Sequence, residues 1–135
     1  MKITDLEYRL GKLNVNLSRL RLQDTDPYEA AHKFIIEAKG NSVCIYVGEA
    51  VGHIRLGLRL EIPEERLVGG GFCYLDDKEQ LVLHGYSGEY HSIPQYAAKK
   101  FADLIKPELE KTGIVVSGIA INTSQESWRL NPFWK

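Results

Sequence analysis

The chain has 135 residues, with 17 Lys and Arg against 18 Asp and Glu, so its formal net charge is −1. This length predicts one domain over residues 1–135, large enough to bury a core without a disulfide or a metal. The lack of a basic excess argues against nucleic-acid binding. No stretch approaches the roughly 20 apolar residues of a membrane-spanning helix. The N-terminus lacks the apolar segment of a signal peptide, so we expect a cytoplasmic protein without membrane partners.

Three stretches in the first half of the chain are typical of strands. Residues 12–17 alternate between apolar and polar, and the pattern then slips by one position, which favours a bulge near residues 18–19. Residues 43–47 are β-branched and aromatic, as in a buried strand. Residues 54–62 show the clearest alternation in the chain and predict a half-exposed antiparallel strand.

The segment between the first two strands has two interpretations. Pro27 follows three polar cap-forming residues and Gly40 supplies a stop, so residues 27–39 read as a helix. The alternative is a strand over residues 33–38 that pairs with residues 43–47 across a short turn. The sequence leaves both open.

The second half predicts a hairpin, a helix and a last strand. The hairpin strands are residues 67–75 and 80–86, and a 3.6-residue period follows from a Ser92 cap to Gly113. The last strand covers residues 114–121. Pro107 lies inside the periodic stretch and predicts a kink or a break in the helix.

The resulting order, β-α-β-β-β-β-α-β, predicts an α+β fold with an antiparallel or mixed sheet of about six strands and two packed helices. The two cysteines, Cys44 and Cys73, lie in apolar stretches and read as buried thiols, which could pair only if their strands were adjacent. No Cys/His spacing typical of zinc occurs, and we expect neither a metal nor a cofactor.

Residues 69–111 resemble the Janus/ocnus family of protein phosphohistidine phosphatases. The similarity lies in three glycines at 69–71 that open a strand, then Gly85-Tyr86-Ser87 and Tyr90 one hairpin later, then an Ala/Lys-rich helix. The resemblance implies a metal-independent phosphohydrolase, acting on a phosphorylated protein or a small phosphorylated ligand.

The resemblance also implies a phosphate-binding loop formed by Ser87, Gly88 and Glu89. Successive backbone N–H groups in a tight loop suit an anion. The N-terminus of the following helix adds a favourable dipole.

The family uses a histidine as general base, a role suited to a group that titrates near neutrality. In one alignment Lys33 binds phosphate from a strand and His53 is the base, with a spacing to the glycines close to that of the family. In the other, residues 28–32 match the start of the family's first helix and His32 is the base. Both alignments stay open, with a slight preference for His53.

Three positions depart from the family pattern. Phe72 follows the glycines where an arginine is expected, Glu89 stands at an uncharged position, and His91 replaces a glycine. These changes favour an alternative in which the protein is a non-catalytic member of the same fold that binds phosphate or a partner.

The aromatic residues near the C-terminus, Trp128, Phe133 and Trp134, have two readings. They could pack onto the domain as a latch. If they are exposed instead, they would form a partner-binding site.

Overall fold

A six-stranded mixed sheet forms the centre of the computed structural model, which describes residues 5–21, 30–49, 52–85, 91–123 and 129–134. The strands lie side by side in the order β1-β3-β2-β4-β5-β6. They are β1 (Glu7–Leu13), β2 (His32–Lys39), β3 (Ser42–Glu49), β4 (Leu67–Leu75), β5 (Gln80–His84) and β6 (Gly118–Asn122). This architecture confirms the predicted α+β class and the number of strands.

Three α-helices accompany the sheet in the described part of the chain: α1 (Leu17–Leu20), α2 (His53–Arg59) and α3 (Gln95–Lys111). Short 3-10 turns cover Glu64–Arg66 and Pro132–Trp134. None of the helices among these described residues is long and apolar enough to cross a membrane.

The sheet is antiparallel in the middle and parallel at both edges. β2 pairs antiparallel with β3 and β4, and β4 pairs antiparallel with β5. β1 and β6 add parallel to β3 and β5. Gly40 has φ 56° in the turn between β2 and β3, a conformation that glycine adopts without steric cost.

One face of the sheet carries the apolar core under α3. Alternate residues of the central strands, among them Phe34, Ile36 and Ile45, are fully buried there. Phe101 and Ile105 of α3 pack onto them, because the helix presents its apolar stripe every three to four residues.

The opposite face is more polar, and α2 packs on it against β2. The buried Glu37 carboxylate accepts a hydrogen bond from the Tyr46 hydroxyl at 2.7 Å and pairs with Arg66 Nε at 3.1 Å. Lys39 Nζ lies 3.5 Å from the same carboxylate. A buried charge persists only with such partners.

The helix predicted over residues 27–39 is wrong from position 32 onward, because His32–Lys39 forms β2. The other interpretation, a strand paired with the next one, is confirmed. As a central strand, β2 is buried on both faces, so Ile35 and Ile36 are both apolar and the alternation that marks a half-exposed strand is lost. Residues 22–29 lie outside the described part.

The strand predicted over residues 54–62 is also wrong, because His53–Arg59 forms α2. Leu56 of the alternating set is buried, whereas Ile54 and Leu58 are exposed. The buried residues His53, Leu56 and Gly57 are spaced as one face of a helix. Only Leu56 belongs both to the alternating set and to this helical face, so the alternation did not reveal the helix.

Several boundaries differ from the prediction. The first strand is Glu7–Leu13, its irregularity lies between Leu10 and Lys12 instead of at residues 18–19, and Leu17–Leu20 is helical. α3 begins after Pro94, with no side-chain cap, and continues through Pro107. Its end near Gly113, with φ 88°, is confirmed.

The two cysteines are free and buried. They lie on β3 and β4, which β2 separates, so they are not neighbours in the sheet. Burial raises the pKa of the Cys73 thiol to about 12, which keeps it protonated and unreactive.

Candidate functional site

Three side chains lie in a row across the middle of the sheet. Lys33 on β2 pairs with Phe72 on β4, and Phe72 pairs with His84 on β5. Directly paired residues project on the same face. All three therefore belong to the face that carries α2.

His53, the first residue of α2, reaches this row from above the sheet. Its side chain is only 2% exposed, and its Nε2 lies 2.7 Å from the backbone oxygen of Gly71. A carbonyl oxygen only accepts, so Nε2 carries the proton of this hydrogen bond. In the neutral ring the lone pair is then on Nδ1, the arrangement that a general base requires.

Phe72 contacts both Lys33 and His53. Its ring meets the His53 imidazole edge to face with 5.2 Å between ring centres. Lys33 Nζ also lies 5.2 Å from the centre of this ring, a cation–π contact. Lys33 is 8% exposed and also donates to the Ala30 backbone oxygen at 3.2 Å. The Phe72 ring thus contacts both groups that the sequence predicted to act on phosphate.

The glycines at 69–71 permit close packing beneath the site. A Cβ on Gly71 would overlap the His84 backbone oxygen and the Phe34 ring, and a Cβ on Gly69 would overlap the Ile93 side chain. Close chain approach therefore accounts for both glycines. The same close approach fixes the position of the Gly71 carbonyl, whose oxygen accepts the hydrogen bond from His53.

The predicted phosphate loop, with Ser87, Gly88 and Glu89, lies in residues 86–90, outside the described part of the chain. Its two described ends are held together, because Ile93 N donates to Gly85 O at 2.8 Å. Gly85 N in turn donates to Asn122 O at 2.7 Å. Gly85 directly follows His84, so this segment starts beside the row that contains Lys33 and Phe72.

His32 lies on the other face of the sheet from Lys33, because successive residues of a strand alternate in direction. It is fully buried, and its Nε2 accepts a hydrogen bond from Asn16 N at 2.9 Å. Nδ1 has no hydrogen-bond partner among the described residues. Burial lowers the pKa of His32 and keeps the ring neutral. The structure therefore does not bring His32 together with Lys33 and the glycines, whereas it does bring His53 there.

His84 on β5 is a buried neighbour of the site. Its ring stacks on Tyr74 at 5.6 Å between centres, and its Nε2 hydrogen-bonds the Tyr74 hydroxyl at 3.0 Å. Burial lowers the pKa of His84, so it is neutral at physiological pH. The row formed by Lys33, Phe72 and His84 was missed from the sequence. The hairpin register could have revealed its Phe72–His84 pair, whereas the Lys33–Phe72 pair joins strands that are distant in the chain.

No group of three or more His, Cys, Asp or Glu residues suited to a metal ion occurs among the described residues. A cleft of about 250 Å³ lies near the other end of α2, lined in part by Lys12, Val47, Leu56 and Arg59. None of the described site residues lines this cleft. The candidate site is therefore the buried cluster around Gly71 and not this cleft.

Comparisons with models of protein families, with curated proteins and with solved structures found no match for the chain.

Proposed function

We propose that this protein is a metal-independent phosphohydrolase of the phosphohistidine phosphatase type, with His53 as general base. The observation that carries the proposal is the hydrogen bond from His53 Nε2 to the Gly71 oxygen at 2.7 Å. This bond fixes the tautomer and points the basic nitrogen away from the glycine. Lys33 lies on the face of the sheet that carries α2. The segment that contains Ser87 follows β5, the strand next to β4.

The chemistry follows from these positions. His53 Nδ1 takes a proton from water as the water oxygen attacks phosphorus. The phosphorus–nitrogen bond of phosphohistidine breaks, and the leaving imidazole nitrogen takes up a proton from solvent. His53 then releases the proton that it accepted to solvent, which regenerates the base. Inorganic phosphate and histidine are the products. The Lys33 ammonium and the backbone N–H groups around Ser87 stabilise the charge that grows on the phosphoryl oxygens.

The test is hydrolysis of a phosphohistidine peptide in EDTA by the wild type, His53→Gln and His32→Gln. A glutamine at 53 keeps an amide donor for the Gly71 oxygen but offers no basic nitrogen, so we expect a loss of about 10²–10⁴-fold in kcat. A glutamine at 32 keeps an acceptor for Asn16 N and serves as the matched control, with activity within a few-fold of wild type.

Two outcomes would contradict the proposal. Equal activity of His53→Gln and wild type would remove His53 from the mechanism. If the wild type hydrolyses the peptide no faster than buffer does, the protein is not a phosphohydrolase for this substrate. Titration with inorganic phosphate would then decide whether the protein binds the anion without reacting.

A second function, phosphate or partner binding without catalysis, is favoured by one observation. The Phe72 ring contacts both Lys33 and His53, and both side chains are nearly buried. An aromatic ring at this position takes up space that a phosphoryl group would need. If Phe72→Arg raises phosphohydrolase activity severalfold, Phe72 restricts an active site. If Phe72→Arg leaves an inactive protein inactive, the binding function is supported.

A further inference from the structure

The C-terminal segment, residues 129–134, contacts two stretches of the chain: one that precedes the three glycines and one that follows the predicted phosphate loop. Trp134 is buried, and its Nε1–H donates to the backbone oxygen of Val68 at 2.8 Å. Val68 immediately precedes the three glycines. The indole ring also packs edge to face on Phe133 and on Tyr96 of α3, at 5.0 and 6.5 Å between ring centres.

The same segment holds the chain that follows the predicted phosphate loop. Ser92 N donates to the Arg129 oxygen at 2.8 Å, and Ser92 forms a parallel β-bridge with Leu130. The Asn131 side-chain nitrogen lies 3.4 Å from His91 Nδ1. Asn131 also orders the last turn, since its side-chain oxygen accepts from Phe133 N at 2.9 Å and its backbone oxygen accepts from Trp134 N at 2.9 Å.

Ile93 transmits this anchoring to the site. Its side chain fills the space beside Gly69 of β4 and approaches Gly85, which directly follows β5. Its N–H also donates to the Gly85 oxygen. Gly69 and Gly71 belong to the same strand, and Gly71 supplies the acceptor for His53. A shift of Ile93 therefore moves the carbonyl that orients the candidate base.

We propose that residues 129–134 position the candidate site, with Trp134 as the anchoring residue and Ile93 as the contact that transmits its position. This inference rests on the proposed function for its catalytic consequence only. The segment contributes no reacting group: it fixes where the two ends of residues 86–90 and the Gly71 carbonyl lie.

The test compares wild type with Trp134→Phe, which keeps an aromatic ring but loses the N–H to Val68. The matched control is Ile105→Val, which removes one buried methyl group from α3 away from the C-terminal segment. Amide hydrogen exchange and the ring nitrogen signals of His53 are measured by NMR, and KM and kcat are measured on the phosphohistidine peptide.

We expect the Gly85 and Ile93 amides of Trp134→Phe to exchange roughly fivefold faster, the ratio that corresponds to about 1 kcal/mol for one hydrogen bond. The His53 ring signals should shift, and kcat should fall by a similar factor with KM within about twofold, because the Gly71 carbonyl orients the candidate base. Ile105→Val should change none of these. If Trp134→Phe does not fold, Asn131→Ala is measured instead. It removes the side-chain oxygen that accepts from Phe133 N and the side-chain nitrogen near His91 Nδ1.

Unchanged exchange at Gly85 and Ile93 would overturn the proposal, as would equal changes in Ile105→Val, which would point to a general loss of stability. If the Gly85 and Ile93 amides exchange faster but the His53 signals do not shift, the segment stabilises the fold without positioning the site, and the proposal is wrong. If the wild type hydrolyses nothing, the proposed function fails. The exchange rates and the His53 signals then decide the positioning role by themselves.

Discussion

At position 71 no side chain fits, because the His84 backbone oxygen and the Phe34 ring occupy the space that a Cβ would take. The backbone oxygen of Gly71 accepts the hydrogen bond from His53 Nε2. The close approach of β4 to β5 and the orientation of the His53 ring thus both depend on the absence of a Cβ at position 71. The sequence showed three glycines but left open whether they permit packing or contact a ligand.

Gly71→Ala should destabilise the protein by about 1–3 kcal/mol, because overpacking against backbone cannot be relieved by a rotamer change. Gly118→Ala is the matched control on β6, where a new Cβ would meet only the Gln80 side chain at 3.8 Å. Urea unfolding of both variants measures the difference. Equal midpoints for the two variants would show that the strands separate at Gly71 without cost.

At the scale of elements, α2 is the short helix that brings His53 to the sheet. Its buried face consists of His53, Leu56 and Gly57, and its outer face exposes Ile54 and Leu58. So short a helix is not stable by propensity alone, and its packing on the sheet must hold it. Leu56 is the main apolar contact, since its Cδ1 lies against Gly48 of β3.

Leu56→Ala should therefore cost about 2–4 kcal/mol, whereas Leu58→Ala on the same helix should stay within about 0.5 kcal/mol. The two leucines are 4% and 72% exposed. Thermal unfolding gives the stabilities, and the phosphohistidine assay shows whether loosening α2 also lowers kcat. A cost at Leu58 equal to that at Leu56 would mean that the outer face of α2 is covered.

At the scale of the whole molecule, two buried histidines on opposite faces of the sheet make folding depend on pH. Burial is the main cause that lowers the pKa of both His32 and His84 below the ordinary value of 6.5. Around His32, the charge of Glu49 opposes this shift, while Arg19 and Lys33 add to it. The unfolded chain therefore binds more protons than the folded protein below pH 6.5, and stability falls as the pH falls from there toward the folded pKa values.

Below pH 6.5, each such histidine changes the free energy of unfolding by at most about 1.4 kcal/mol per pH unit. His32→Gln should make the pH dependence of the free energy of unfolding shallower by up to that amount as the pH falls below 6.5. Urea unfolding at several pH values gives the slopes, and parallel curves for wild type and His32→Gln would contradict the prediction.

The sequence by itself determined the α+β class, the approximate number of strands, the hairpin that begins with the glycines and the helix that ends near Gly113. These features have short-range signals: alternation, turn residues and a long 3.6-residue period. The structure places His53 with Lys33 and the glycines and places His32 on the other face. Which histidine acts stays a prediction until it is tested.

Only the tertiary structure decided that residues 32–39 form a strand and residues 53–59 a helix. The first is buried on both faces and so loses its alternation. The second packs one helical face against β2, and that face shares only Leu56 with the alternating pattern. The contact of Phe72 with both Lys33 and His53 depends on the pairing of distant strands, and so does the anchoring of Trp134 at Val68. Long-range pairing is set by the burial of the whole sheet, which no local pattern encodes.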